Sequence, residues 1–91
     1  MSVYVDDFFQ PYGQMLMCHM VADTSEELHA MAEQIGVARR WIQHQGTNAE
    51  HYDVCKVMRE RAIALGAVPV TRRVIVAFLQ KKRAALKAVE A

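Results

Sequence analysis

The chain has little of what staples very small proteins together. It holds two cysteines, Cys18 and Cys55, too few for a disulfide scaffold and without the CxxC spacing of redox and zinc motifs. Both thiols are expected to be free, which suits a reducing compartment. There is no basic leader followed by an apolar run and no stretch long enough to cross a bilayer, so the expected location is the cytoplasm. No internal repeat or low-complexity tract is present. Missing too are GxGxxG, GxxxxGK[ST] and GxSxG, so dinucleotide, Walker-type and α/β-hydrolase chemistry have no local support.

What is present describes an ordinary globular domain. With 53% apolar and 23% charged residues, the chain is too hydrophobic for intrinsic disorder and too interrupted by charge for a membrane protein. Ninety-one residues allow one modest core, hence a single domain over 1–91 that folds alone or as a small homo-oligomer. The net charge of +1 hides an asymmetry, −6 over residues 1–53 and +7 over residues 54–91. Charge complementarity between the halves, with a solvated terminal helix, accounts for it. Nucleic acid is not an expected partner, because aromatic residues are not interleaved with the C-terminal bases.

The pattern predicts an α/β (α+β) fold, a three- or four-stranded sheet packed by three helices in the order β-β-α-(β)-α-β-α. Val3-Tyr4-Val5 reads as a strand, and Pro11-Tyr12-Gly13 as a turn into a second strand from Gln14 to Ala22. Period two puts Met17, His19 and Val21 on one face and Cys18, Met20 and Ala22 on the other, which predicts a central strand covered on both sides. Thr24-Ser25-Glu26-Glu27 is a capping box, Leu28, Met31, Ala32 and Ile35 recur at helical spacing, and Gly36 ends the helix. Val37–Gln43 is expected as a third strand or extended loop, and 44–50 as a loop. Asp53 is expected to cap a second helix with the stripe Val54, Val57, Met58, Ala62 and Leu65. Val68-Pro69-Val70 fits only an edge strand. Thr71 caps a third helix with Val74, Ile75, Phe78, Leu79 and Leu86 inward, its end fraying over 84–91.

Several groups could carry chemistry. Asp6 and Asp7 follow the first strand, where open α/β sheets gather ligands, and their oxygens suit Mg²⁺ or Mn²⁺; an ordinary turn also accounts for them. His51 and Asp53 project to one side if extended, a pairing suited to acid–base catalysis. Against this, Asp53 can be only a cap and His51 only a loop residue. His19 reads first as a core imidazole, and His29 lies at the edge of the first helix's buried stripe. Arg39, Arg40 and Trp41 combine planar donors with an aromatic face, and Arg59 adds charge on the second helix. Cys18, His51 and Cys55 offer zinc donors, but without the spacing of a zinc motif.

Taken in order, Val3-Tyr4-Val5-Asp6-Asp7, Tyr12-Gly13 with Met15, Met17-Cys18-His19-Met20, Ala22-Asp23, Glu27-Leu28-His29 with Met31-Ala32, Arg39-Arg40-Trp41 and His51-Tyr52-Asp53 resemble a small family of bacterial and phage proteins classed as a domain of unknown function. The resemblance covers about residues 2–75 and singles out Asp6, Asp7, His19, His29, Arg40, His51, Asp53 and Arg59. It implies no activity. Gln14 stands where relatives often carry Arg, and Val57-Met58 where a Ser-Lys pair commonly precedes the arginine. The residue types themselves suggest a polar cleft that binds, and hydrolyses, a nucleotide or other phosphorylated small molecule. In that cleft His51 is acid or base, Asp53 its orienter, Arg40 and Arg59 clamps, His19, His29 and Trp41 ligand contacts, and Asp6 or Asp7 the metal ligand. The alternative is a non-catalytic module that binds a host protein or sequesters a ligand, anchored by Trp41 and nearby arginines.

Overall fold

The computed structural model describes residues 2–90. Its elements are β1 (Val3–Val5), β2 (Gln10–Tyr12), β3 (Met15–Ala22), α1 (Ser25–Ile35), a 3₁₀ turn (Arg39–Trp41), β4 (Tyr52–Cys55), α2 (Lys56–Ala64), β5 (Val68–Pro69) and α3 (Arg72–Glu90). The fold is α+β, three helices on a five-stranded mixed sheet.

β3 is the hub. Met17 pairs with both Gln10 of β2 and Cys55 of β4, and Met20 with both Val5 of β1 and Tyr52 of β4. A strand has two edges, so β1 and β2 share one and β4 occupies the other. β2 joins β3 through Gly13 and Gln14, with Gly13 at φ 61°; glycine first in a two-residue loop is what a type II′ hairpin turn requires. Among the described residues β5 pairs only with β1, in parallel, and an edge position tolerates Pro69.

One face of the sheet carries Val3, Val5, Cys18, Met20, Ala22, Tyr52 and Val54, all buried against Leu28, Met31, Ala32 and Ile35 of α1 and Ala62 of α2. The other face meets α3: the Tyr4 ring packs on Phe78 at a tilt of 52°, centroids 5.1 Å apart, and the Lys82 ammonium donates to the Ala22 carbonyl at 3.1 Å.

α1 follows its sequence signals closely. Thr24 Oγ1 accepts the Glu27 N–H and Gly36 closes the helix at φ 88°. Elsewhere tertiary pairing overrides the local pattern. Residues 39–41 form a 3₁₀ turn, not a strand; the strand between α1 and α2 is β4. Asp53 therefore lies inside a strand, and Cys55 holds the N-cap position of α2 without a side-chain cap bond. On α2, Ala62 is buried and Met58 packs against the core as expected, with Ile63 beside them, whereas Val57 and Leu65 are exposed, so the inward stripe is narrower than the sequence pattern. On α3, Ile75 is buried while Val74 and Leu86 are exposed, because the facing stripe runs through Ile75, Phe78, Leu79 and Lys82. β3 is central but covered on both sides only in its second half; Met15 and Leu16 are exposed.

Candidate functional site

The register that builds the core also assembles a polar row on the opposite face. His19 of β3 pairs with Asp53 of β4, and on the other edge the Asp6 N–H donates to the His19 carbonyl at 3.1 Å, extending the β1–β3 ladder one step. Side chains level across neighbouring strands share a face, so Asp6, His19 and Asp53 stand side by side. His51, two residues before Asp53, joins them. Tyr52, between the two, must point the other way and is fully buried in the core.

The β1–β3 ladder ends at Asp6 in a way that fixes the site. Instead of the Asp6 carbonyl, the Asp6 side chain accepts the His19 N–H, at Oδ1 and 3.0 Å. Its other oxygen, Oδ2, lies 2.9 Å from His19 Nδ1. The freed Asp6 carbonyl accepts from Arg59 Nε at 2.8 Å, and the Arg59 guanidinium lies over Phe9. Burial pushes the Asp6 carboxyl up, but the hydrogen bonds from the His19 side chain and backbone, with the imidazole charge, outweigh it and hold the group below its ordinary value. Conversely, the Asp6 hydrogen bond lifts His19 above its ordinary value against the opposing effect of burial and the positive charge of Arg72.

The second half of the site sits on β4 and the loop before it. His51 Nδ1 lies 2.8 Å from the Ala49 carbonyl, and its Nε2 3.5 Å from Asp53 Oδ1. Gln43 Nε2 donates to Asp53 Oδ2 at 2.7 Å. Gln43 is placed by the isolated bridge it forms with His51. The His19 and His51 rings meet edge to face at 5.3 Å, and His19 Nε2 is 3.9 Å from Asp53 Oδ1. His19, His51 and Asp53 each bring one donor atom into a group whose members lie within 4.8 Å of one another. Solvent reaches all three, their side chains being 32%, 15% and 38% exposed.

The residues singled out in the sequence thus divide. Asp6, His19, His51 and Asp53 come together, and Arg59 supports them through the Asp6 backbone. Asp6, expected as a metal ligand, is fully buried with both oxygens facing His19; Asp7 is exposed and outside the convergent group. His29 lies on the α1 side, its Nδ1 2.7 Å from the Tyr52 hydroxyl. Arg40 stacks on the exposed Trp41 at 5.4 Å, on the 3₁₀ turn that packs beside α1. The grooves on that side, lined by His29, Glu33 and Arg39, are polar too, but among the described residues the three-atom convergence of His, Cys, Asp or Glu donors occurs at the β3–β4 cluster. Cys18 points into the core, where burial pushes its thiol up to about 12, so it cannot share a ligand set with His51.

Sequence reasoning missed Gln43, Arg72 and His44. Arg72 opens α3 with its guanidinium 4.2 Å from the Phe8 ring centroid. His44 stacks on His51 at 5.7 Å from a left-handed backbone, φ 54°, a conformation uncommon for residues other than glycine and frequent near functional sites. Only the Gly46-Thr47-Asn48 loop hinted at it, by folding 44 back toward 51.

Residues 3–82 match the model of the family described as "Protein of unknown function (DUF4031)". No curated protein and no solved structure matches the chain.

Proposed function

Because the chain belongs to the DUF4031 family, whose description assigns no activity, we propose from the site alone that the protein binds a nucleotide or other phosphorylated small molecule at the Asp6–His19–His51–Asp53 face and hydrolyses it. One observation carries this reading: two solvent-reachable imidazoles face each other, each with its Nδ1 anchored, by Asp6 and by the Ala49 carbonyl. A fixed Nδ1 leaves Nε2 as the working atom of each ring.

Hydrolysis then needs one proton taken and one returned. Neutral His51 accepts a proton at Nε2 from water as the water oxygen attacks phosphorus, and Asp53 stabilises the imidazolium formed. Protonated His19, held by Asp6, gives its Nε2 proton to the leaving oxygen as the phosphorus–oxygen bond breaks. Arg72, beside His19 at the start of α3, supplies positive charge for the phosphate oxygens. Arg59 acts through position, since its Nε is bonded to the Asp6 carbonyl and its side chain is only 14% exposed.

Phosphate release from nucleoside mono-, di- and triphosphates and from p-nitrophenyl phosphate tests the reading. His51→Gln should lower kcat by roughly 10²–10⁴, the usual contribution of a positioned acid or base, with the far-ultraviolet dichroism unchanged. Absence of turnover on the whole panel, or equal turnover in the variant, overturns it. The other reading, a host-protein binder, draws on Trp41, which is 60% exposed; it is favoured if turnover is absent and Trp41→Ala abolishes capture of a defined partner.

A further inference from the structure

His19, His51 and Asp53 have a property that proton transfer alone does not require. The Ala49 carbonyl can only accept a hydrogen bond, so His51 Nδ1, 2.8 Å away, must carry the proton. The ionised Asp6 carboxylate imposes the same on His19 Nδ1, at 2.9 Å. In the neutral rings both Nε2 atoms are therefore lone-pair donors. Both face Asp53 Oδ1, at 3.9 and 3.5 Å, itself an acceptor. Three electron-pair donors gathered in so small a space repel one another unless a cation stands between them: a proton on His19 Nε2, as in the hydrolytic reading, or a metal ion, which alone can engage all three at once.

Each donor is also anchored from behind: His19 by Asp6, His51 by the Ala49 carbonyl, and Asp53 by the Gln43 amide at 2.7 Å. Outer hydrogen bonds of this kind orient metal-ligating imidazoles and carboxylates. The spacing agrees. With metal–nitrogen and metal–oxygen distances near 2.0–2.2 Å, tetrahedral ligand atoms stand about 3.3–3.5 Å apart, so the 3.5 Å pair already fits, the 3.9 Å pair needs a closure of about half an ångström, and the two imidazole donors, within 4.8 Å of each other, close by a turn of the rings.

We propose that His19 Nε2, His51 Nε2 and Asp53 Oδ1 bind one divalent transition-metal ion of the zinc class, with its remaining coordination open to water or an anionic ligand. Two imidazole nitrogens and one carboxylate suit zinc and its transition-metal neighbours, whereas Mg²⁺ and Ca²⁺ prefer oxygen ligands alone. Three protein ligands with an open position are the pattern of catalytic rather than structural zinc sites. The inference rests on the site of the hydrolytic reading, and an ion held there takes both Nε2 lone pairs, so the proton transfers assigned above to the two imidazoles would pass to metal-bound water; it is tested by binding alone.

The full chain, stripped with a chelator and titrated with Co²⁺, should give visible d–d absorption that saturates at one ion per chain, and Zn²⁺ should displace it. His51→Gln and Asp53→Asn should each abolish the band while backbone amide spectra stay folded. Gln43→Ala and Asp6→Asn, which touch only the supporting bonds, should weaken binding by roughly 10–100-fold. Glu33→Gln, an exposed carboxylate on α1, should leave one equivalent bound. No saturable binding, or undiminished binding in the His51 and Asp53 variants, overturns the proposal. Tight binding without phosphate release sinks only the hydrolytic reading; turnover by protein that binds no Co²⁺ or Zn²⁺ sinks only this one.

Discussion

Asp6→Asn isolates what the buried carboxylate does. The substitution keeps the shape and keeps an oxygen to accept the His19 N–H at the Oδ1 position. It replaces the oxygen 2.9 Å from His19 Nδ1 with an NH₂ group, a donor facing a donor. The neutral imidazole can relieve this only by moving its proton to Nε2, so its tautomer should invert and its working nitrogen should lose the lone pair. His19 should also titrate lower than in the wild type, because the largest effect raising it is gone. Hydrogen bonds to charged groups contribute about 1.5–3 kcal/mol; losing one of the two that His19 makes to Asp6 should cost about 2 kcal/mol, or roughly 8–16 °C in Tm for a domain of this size. The pH window follows from the signs. Asp6 is lowered in the fold, so its share is present above 3.8 and lost as pH falls through its folded value. His19 is raised, so its share is present below 6.5 and lost as pH rises through its folded value. The deficit of the variant should therefore be greatest between about pH 4 and 6.5 and shrink above that range. Two-dimensional ¹⁵N spectra of the imidazoles in metal-stripped protein read the tautomer and the titration, and melting curves across pH read the stability. A variant whose His19 keeps a bare Nε2 and the wild-type titration, with an unchanged Tm, would refute the reasoning.

Thiol labelling gives a second check. Cys18 is buried and raised to about 12, while Cys55 is half-buried, so native protein at pH 8 should take up label at Cys55 alone and both thiols should react once urea unfolds it; early labelling of Cys18 by peptide mass mapping would contradict the packing. Glu50 provides a third. Burial pushes this carboxyl up, but the Ser25 hydroxyl and the Gly46 N–H bond it and hold it below 4.5, so its contribution is present above that value and lost as pH falls through the folded one. Glu50→Gln should cost about 1–3 kcal/mol in urea unfolding at pH 7 and lose less stability than wild type on going to pH 3; equal acid sensitivity would show that the carboxylate is not responsible.

How far these features could be read from the residues depended on the range of the interactions involved. α1 is built from contacts within four residues, the Thr24 cap, the Leu28–Ile35 stripe and Gly36, and all of these are visible in the sequence. β4 is not. Tyr52 and Val54 alternate inward as a strand should, but the stretch is four residues long and Asp53 before a helical pattern imitates a cap. What makes it a strand is pairing with β3 more than thirty residues earlier. The site shows the same division. His51 and Asp53 were legible as a pair because period two joins them, whereas His19 reads as an ordinary core imidazole until register sets it beside Asp6 and Asp53. Gln43 and Arg72 carry no local signal, for they gain meaning only through Asp53 and His19.

The strict alternation along β4 also protects the site against mispairing. Were β4 to slip by one residue against β3, Tyr52 and Val54 would turn out to solvent and His51 and Asp53 would turn into the packing against α1. Forfeiting two large buried side chains costs roughly 1.5–3 kcal/mol each, and an unpaired carboxylate in an apolar interior adds several more. A domain this small has about 5–15 kcal/mol to spend in total, so the slipped arrangement is not a populated fold. Residues that never touch the polar face therefore act as its proofreading, and substitutions at Tyr52 or Val54 that shrink the apolar side would loosen the alignment of the polar one.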